Sequence, residues 1–325
     1  MPQRDRPGPG RIVATWLIPC LLASGAQPGP EPPPTHRLRT NDVVALVGGA
    51  NLVAGQEFGY LETLFATHQP GLALRFRSLA REGDTVFTQP RDVNYPGLPA
   101  QLDAAGATVV LIQFGQTEAL AGTNRLGDFA TAATALLDQL ARPGRRLALV
   151  SPLRFDKPSS PMPDLSARNA DLAAYVETLA GLARRRGIPF LDLFHPPPVP
   201  ARLPRLTNNG LHLTPAGHWY HDWLLALQLG LHVAWDEHTV DWETGRLNRP
   251  EWEQVRQAVI AKNRLWFDYT RPMNWAFLGG DRIEQPSSRD HRDPKVRWFP
   301  AEMERFLPMI READTHILRL ATARR

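Results

Sequence analysis

The stretch that decides the fold is Val43-Val44-Ala45-Leu46-Val47-Gly48-Gly49-Ala50-Asn51, a short apolar run that ends in small residues. An unbroken aliphatic run of this length is typical of a strand buried on both faces of a parallel sheet. Helical patterns near 55–68, 126–141 and 168–186 alternate with similar runs along the chain. These runs predict five strands, at 43–47, 73–77, 108–114, 146–150 and 189–193.

The alternation predicts an α/β fold, a flavodoxin-like three-layer α/β/α sandwich on a five-stranded parallel sheet. A last helix over 216–230 completes the unit, because Thr214 can cap its start and Pro215 is tolerated in its first turn. Beyond residue 233 the chain becomes rich in tryptophan and charge, which predicts a mainly helical C-terminal extension. The predicted segments are a leader 1–26, a Pro-rich linker 27–40, the α/β domain 41–232 and the extension 233–325.

The leader is typical of a secretory signal peptide. Three arginines precede an apolar run from Ile12 to Ala23, and Ser24-Gly25-Ala26 supplies small residues for cleavage. The run is shorter than the ~17–25 apolar residues that cross a bilayer. We therefore expect a secreted or periplasmic protein with no stable membrane span after cleavage. Lipoprotein attachment through Cys20 is not expected, because Pro19 stands where such sites need a small residue.

Composition excludes several classes of function. Cys20 is the only cysteine, so cleavage of the leader would leave no thiol for a disulfide, a thiolate nucleophile or a cysteine metal site. Loss of the leader, with its three arginines and one aspartate, lowers the formal net charge from +4 to +2, which predicts no nucleic-acid partner. No Cys-x-x-Cys-His motif occurs, and no cofactor is expected. The oligomeric state leaves no pattern in the sequence.

The candidate site follows from the sheet. Ligands of open parallel sheets bind outside the carboxyl ends of the strands, so the residues just after each strand are the ones to examine. These residues are Gly48-Gly49-Ala50-Asn51, Ser78–Asp84, Gly115–Glu118, Ser151, Asp192 and the loop 206–212.

With these blocks the chain resembles the SGNH/GDSL hydrolases over roughly residues 41–232. More closely, it resembles the divergent SGNH-like domains of secreted planctomycete-type bacterial proteins, through segments 82–87, 114–119 and 209–213. The family has four marker residues: a serine after the first strand, a glycine after the second, an asparagine after the third, and a late histidine. The resemblance implies an esterase-like domain with its site at these four positions.

The resemblance keeps only one of the four markers. It places Ala50 of Gly48-Gly49-Ala50 at the serine position, and alanine cannot attack a carbonyl. Ala80 falls near the glycine position and Thr117 on the asparagine position. The last block, normally Asp-x-x-His, becomes Asn209-Gly210-Leu211-His212, so the histidine loses its orienting carboxylate. In a related triad, that loss favours the wrong imidazole tautomer and costs about 10⁴ in rate.

We expect Asp84 and Glu118, which both follow strands, to line one polar pocket with His212 that binds a small ester, a sugar or an acylated glycan. In the simpler interpretation His212 is a loop histidine left from an ancestral site, and Asp84 caps the loop after Gly83. No metal site is expected. The candidate catalytic residues are His212, Asn209 and Thr117, and the candidate ligand-binding residues are Gly48, Gly49, Ala50, Ala80, Asp84, Gly115 and Glu118.

Three classes of function stay open on the sequence, and with them whether the chain is an enzyme. The first is a secreted pseudoenzyme with a degenerate catalytic site that binds a carbohydrate or acyl-ester ligand. The second is an active esterase or carbohydrate acetyl-esterase, in which His212 works with activated water or with Ser78 or Ser151. The third is a scaffold that docks a partner through the extension. There the aromatic stretch 262–275 either stacks on sugars or, more simply, packs against the sheet domain.

Overall fold

The structure, a computed structural model, describes residues 37–199 and 203–323. The predicted leader, with Cys20, and residues 27–36 of the predicted linker lie outside the described residues. The sheet is parallel throughout, and its strands lie in the order β2-β1-β3-β4-β5. The strands are β1 (Val43–Gly48), β2 (Arg75–Ser78), β3 (Val109–Gln113), β4 (Arg146–Val150) and β5 (Phe190–Leu191).

Helices cover both faces of this sheet, and further helices follow it in the chain. The helices are α1 (Ala50–Gly55), α2 (Tyr60–His68), α3 (Leu98–Ala104), α4 (Gln116–Ala119), α5 (Leu126–Leu140), α6 (Asn169–Arg186), α7 (Pro215–Gln228), α8 (Pro250–Thr270), α9 (Trp275–Leu278), α10 (Trp298–Glu304) and α11 (Phe306–Thr322).

The central strands are apolar on both faces, as the sequence predicts. Ala45 and Val47 of β1 point into a core shared with α5 and α6, whereas Val44 points into a core shared with α2 and α7. Alternate side chains of a strand point to opposite faces, so one continuous apolar run supplies two cores. The three-layer α/β/α architecture with five parallel strands is therefore confirmed.

The predicted helix near 55–68 begins later in the structure, at Tyr60 of α2, and residues 56–59 separate it from α1. Gly59 has φ +64°, in the left-handed region, which a right-handed helix cannot pass through. The chain therefore breaks between α1 and α2. The predicted cap of the last helix is present, since the Thr214 hydroxyl accepts a hydrogen bond from the Gly217 N–H at 3.0 Å and Pro215 occupies the first turn.

Helix α8 of the C-terminal extension covers the edge of the sheet at β2. Lys262 Nζ donates to the Phe76 carbonyl at 3.1 Å, and Trp266 Nε1 donates to the Ser78 carbonyl at 2.7 Å. An edge strand presents unpaired backbone groups, which proteins cover with a helix or a loop. Residues of the extension thus complete the α/β domain, and the described residues all belong to one compact unit.

Two buried ion pairs fasten the extension to the sheet domain. Lys262 Nζ lies 2.7 Å from Glu62 Oε2 of α2, and the Lys262 side chain is 1% exposed. Arg77 of β2 makes a two-pronged pair with Asp314 of α11. Burial raises the pKa of Glu62 and lowers that of Lys262, and each partner opposes the shift of the other. No helix in 37–199 or 203–323 is long and apolar enough to cross a membrane.

Candidate functional site

A cleft with an empty volume of about 760 Å³ opens at the carboxyl ends of β1 and β3. It brings together most of the site residues that the sequence predicts. Three of the predicted residues, Gly48, Ala80 and Asn209, do not line it. The predicted residues that do line it are Gly49, Ala50, Asp84, Gly115, Thr117, Glu118 and His212.

The turn after β1 presents Ala50 to the cleft as the first residue of α1. Just before it, Gly48 packs so tightly against β3 that a Cβ there would lie 2.5 Å from the Gln113 carbonyl oxygen. A side chain at residue 48 therefore cannot be accommodated without moving β3. The strand thus leads in a fixed geometry to Ala50, which carries a methyl group at the position where the resemblance expects a serine.

Asn209 holds His212 through hydrogen bonds that select one tautomer of the neutral ring. Asn209 Oδ1 accepts hydrogen bonds from the backbone N–H groups of Leu211 at 3.1 Å and of His212 at 2.9 Å. The amide nitrogen of Asn209 must then be the atom 2.9 Å from His212 Nδ1. An amide nitrogen only donates, so Nδ1 accepts and the neutral ring carries its proton on Nε2. His212 thus presents an N–H donor to the cleft.

Asn51, the residue after Ala50, ties the His212 loop to the turn after β1. Its Nδ2 donates to the Leu211 carbonyl at 3.0 Å and to Gln116 Oε1 at 3.1 Å. Its Oδ1 accepts from the Leu213 N–H at 3.1 Å. One amide therefore joins the turn after β1, the loop after β3 and the loop that carries His212.

Glu118 organises the loop after β3. Its Oε2 accepts from the Gly115 N–H at 2.9 Å, and its Oε1 accepts from the Val86 N–H at 2.7 Å. The side chain of Glu118 thus caps α4 and fastens the β2 loop to it. Thr117, one residue earlier, is exposed and is the one hydroxyl-bearing residue among the described residues that line the cleft. No hydrogen bond joins it to His212 within the described part of the chain.

Asp84 lies at the cleft, but its carboxylate is already paired. Arg91 donates from Nη1 and Nη2 to the two carboxylate oxygens, at 2.8 and 3.0 Å. The two side chains are 0% and 6% exposed for Asp84 and Arg91, respectively. A bidentate buried pair of this kind holds a loop in place more readily than it moves a proton. Asp84, Glu118 and His212 therefore line one cleft, as expected. Both carboxylates, however, already accept hydrogen bonds from other residues of the protein.

The remaining predicted residues lie behind the cleft. Ala80 is 2% exposed, packs with Leu52 and Val53, and accepts a hydrogen bond from Arg271 at its carbonyl. Ser151 is fully buried, where its hydroxyl donates to Asp192 at 3.1 Å and accepts two backbone N–H groups.

Ser78 lines a neighbouring cavity and not the cleft itself, and its hydroxyl has no partner among the described residues. That cavity lies beneath α1 and contains His218, His221 and Asp222 of α7. His221 Nδ1 lies 2.8 Å from Asp222 Oδ1. Burial, followed by repulsion from His221, lowers the pKa of His218 to about 3, so His218 is neutral at any physiological pH. These histidines form a buried support behind the cleft.

The sequence missed two features of the site. Asn51 was visible only as part of the block after β1, since its partners come from loops distant in the sequence. The place of α8 beside the cleft was also missed, because the aromatic stretch 262–275, which the sequence marks for sugar stacking or for packing, does not indicate where its helix lies. Within the described ranges, no group of three or more His, Cys, Asp or Glu side chains is placed to hold a metal.

Comparison with solved structures finds partial matches of low sequence identity. A gut microbial diltiazem-metabolizing enzyme is 15% identical with a TM-score of 0.46, covering 60% of this chain and 48% of its own, so the chain spans about half of that protein. An aryl esterase of M. smegmatis is 19% identical with a TM-score of 0.44, and the match covers 58% of this chain and 98% of the esterase. A carbohydrate acetylesterase of Sinorhizobium meliloti is 16% identical with a TM-score of 0.45, and the match covers 58% of this chain and 99% of the acetylesterase.

The family itself is identified from the sequence match. No curated protein matches the chain. The family of GDSL-like lipases and acylhydrolases matches residues 48–220, which is just over half of the 325 residues and runs from the last residue of β1 into α7. The match confirms the resemblance drawn from the residues that follow the strands. The chain belongs to the GDSL-like lipase/acylhydrolase family.

Proposed function

We propose that this chain is an exported member of its family that binds a carbohydrate or acyl-ester ligand in the cleft without forming an acyl-enzyme. The observation that carries the proposal is the pair of substitutions at the reacting centre. Ala50 offers no oxygen to a carbonyl, and Asn209 holds His212 in the tautomer that donates rather than accepts at Nε2. Export rests on the leader 1–26 of the sequence.

The shape of the cleft supports binding. The loops that surround it are fastened by buried or half-buried hydrogen bonds that Asn51 donates and that Glu118 and Asp84 accept. A site whose walls are held in place loses less entropy when a ligand enters. The Nε2–H of His212 can donate to a carbonyl or hydroxyl oxygen of the ligand, and the exposed Thr117 hydroxyl can donate or accept.

The alternative of an active esterase needs a nucleophile that fits this geometry. Ser151 and Ser78 do not line the cleft, and Ser151 Oγ already serves three other groups. Activation of water by His212 requires a free lone pair at Nε2, which the hydrogen bond from Asn209 to Nδ1 removes in the neutral ring. Binding is therefore the function that the geometry supports best.

Restoring the two lost groups tests the proposal. We expect the wild type to show neither turnover of aryl acetates nor labelling by a serine-directed fluorophosphonate. Ala50→Ser alone should gain little, whereas Ala50→Ser/Asn209→Asp should gain both labelling and turnover. The second change should add up to about 10⁴ in rate, by analogy with the triad in which the reverse change was made. Labelling of the wild type would overturn the proposal.

Ligand binding is tested separately by calorimetry with O-acetylated xylose, a small sugar ester. We expect saturable binding that His212→Ala weakens. The matched control is His238→Ala, which removes a histidine that is 86% exposed and lies outside the cleft lining. No binding to the wild type, or equal weakening by both variants, would count against a ligand site at His212.

A further inference from the structure

The cleft does not end at His212. Ala50, Glu82 and His212 also line an adjoining cavity with an empty volume of about 1260 Å³, whose opposite wall is α8. The shared residues show that the two spaces adjoin, and together they are called the groove. The family match ends at residue 220, so this wall, at Pro250–Thr270, comes from outside the matched region.

Helix α8 is anchored as a preformed wall. The buried pair between Lys262 and Glu62 fixes its middle, and Asn263 Nδ2 donates to the Gln56 carbonyl at 2.9 Å. Near its end, the Thr270 carbonyl accepts a hydrogen bond from Arg81 at 3.0 Å. A site built on a helix held at several points keeps its side chains in register with the neighbouring cleft.

The side chains that face the groove carry both signs of charge and remain available. Glu57, Arg264 and Asp268 line it, and their charged ends make no hydrogen bond or ion pair within the described residues. Glu82, by contrast, is paired with Arg271 at 2.9 Å. Unpaired carboxylates and a guanidinium around one space supply acceptors and donors together, which suits a ligand rich in hydroxyl groups and without net charge.

Apolar groups complete the wall. Ile260 and Phe267 lie among these charges, and Phe267 packs beside the small cluster of Leu52, Val53 and Ala80 next to the cleft. Apolar lining with a few polar groups is the usual composition of a small-molecule site. A pyranose ring has this same division, with apolar C–H faces and hydroxyl groups at its edge.

We propose that α8 forms a glycan subsite, in which sugar residues contact Arg264, Asp268 and Phe267 while the acyl-bearing residue lies against Ala50 and His212. The inference rests on the proposed ligand-binding function of the cleft, and it names the ligand as an acylated oligosaccharide rather than a small ester. Specificity for chain length then comes from the extension, and recognition of the acyl group comes from the family domain.

The test is calorimetric titration with O-acetylated xylose, xylobiose and xylotriose. We expect affinity to rise about tenfold from the monosaccharide to the trisaccharide, about 1.4 kcal/mol. Arg264→Ala/Asp268→Ala should abolish this gain and leave the affinity for acetylated xylose unchanged. The matched control is Arg184→Ala/Glu177→Ala, which removes one charge of each sign from α6, a helix that lines neither part of the groove.

The outcomes separate the two proposals. If acetylated xylose binds but affinity does not rise with chain length, the α8 subsite is refuted and the proposed function stands. The same holds if the α8 double variant and the α6 control behave alike. If none of the three sugars binds the wild type, both proposals fall. Thermal unfolding of each variant shows whether it remains folded, and Phe267→Leu provides a second variant that keeps all charges.

Discussion

Replacing Lys262 with methionine tests whether the extension is part of the sheet domain. Lys262 Nζ donates to Glu62 Oε2 at 2.7 Å, to Asn263 Oδ1 at 2.7 Å and to the Phe76 carbonyl at 3.1 Å. The Phe76 carbonyl keeps a second donor, Arg77 Nη1 at 2.8 Å, and Asn263 borders the open groove, where water can reach it. Most of the stability lost in Lys262→Met therefore comes from Glu62, which is 6% exposed and loses its charged partner.

We expect Lys262→Met to lower the free energy of unfolding by about 3–5 kcal/mol, because it leaves a buried carboxylate without its partner. The measurement is urea denaturation followed by tryptophan fluorescence. The control is Lys157→Met, which breaks a surface pair of 3.4 Å to Asp164 at a side chain 75% exposed, and it should cost less than about 1 kcal/mol. A double variant, Glu62→Gln/Lys262→Met, should recover part of the loss.

The pH dependence gives a second signature of the same pair. Burial raises the pKa of Glu62, and without Lys262 the carboxyl is more basic still in the folded chain. Just above the ordinary pKa of 4.5, Glu62 keeps its proton in both folded chains, so both lose stability alike as pH rises. The deficit of Lys262→Met grows with pH only once the raised pKa of Glu62 in the wild type is passed. A deficit as small as that of Lys157→Met, or one independent of pH, would refute the reasoning.

The remaining predictions concern two histidines. In Asn209→Asp the new carboxylate accepts a hydrogen bond from Nδ1–H of His212, so the ring proton should move from Nε2 to Nδ1. The nitrogen chemical shifts of the imidazole report this move. An unchanged ring spectrum would contradict the assigned tautomer. Because the pKa of His218 is lowered to about 3, the unfolded chain alone takes up a proton below about pH 6.5, and stability should fall by up to about 1.4 kcal/mol per pH unit from there toward pH 3. His218→Gln should lose less stability than the wild type between pH 7 and pH 5, as measured by urea denaturation at each pH. An equal loss in the two proteins would contradict the role given to His218.

The sheet was predictable because local patterns determine it. Strand β4 lies at 146–150 as predicted, and the start of β1 at Val43 is also as predicted. Strand β5 is shorter than predicted, Phe190–Leu191, because only these residues pair with β4 at the edge of the sheet. Apolar runs mark buried strands, but the residue at which pairing ends depends on the neighbouring strand.

The site was predictable only in position. The rule for parallel sheets brought Ala50, Thr117 and His212 to one cleft, which the structure shows. The partners of each polar side chain were not predictable, because Arg91 for Asp84 and Val86 for Glu118 depend on loop conformations that no spacing encodes. The degenerate character of the site, the leader and its cleavage, and the closer likeness to planctomycete-type proteins stay predictions.

The tight packing at Gly48 shows that one residue of a sequence motif can be required by the fold while another residue of the same motif serves the chemistry. A glycine is required there because β3 leaves no room for a Cβ, whether or not any bond is ever broken nearby. Two positions later the side chain faces open space, and no neighbour dictates its identity. A family signature that begins at this glycine can therefore be kept for packing alone, so its presence in a sequence indicates the fold and does not by itself indicate ester hydrolysis.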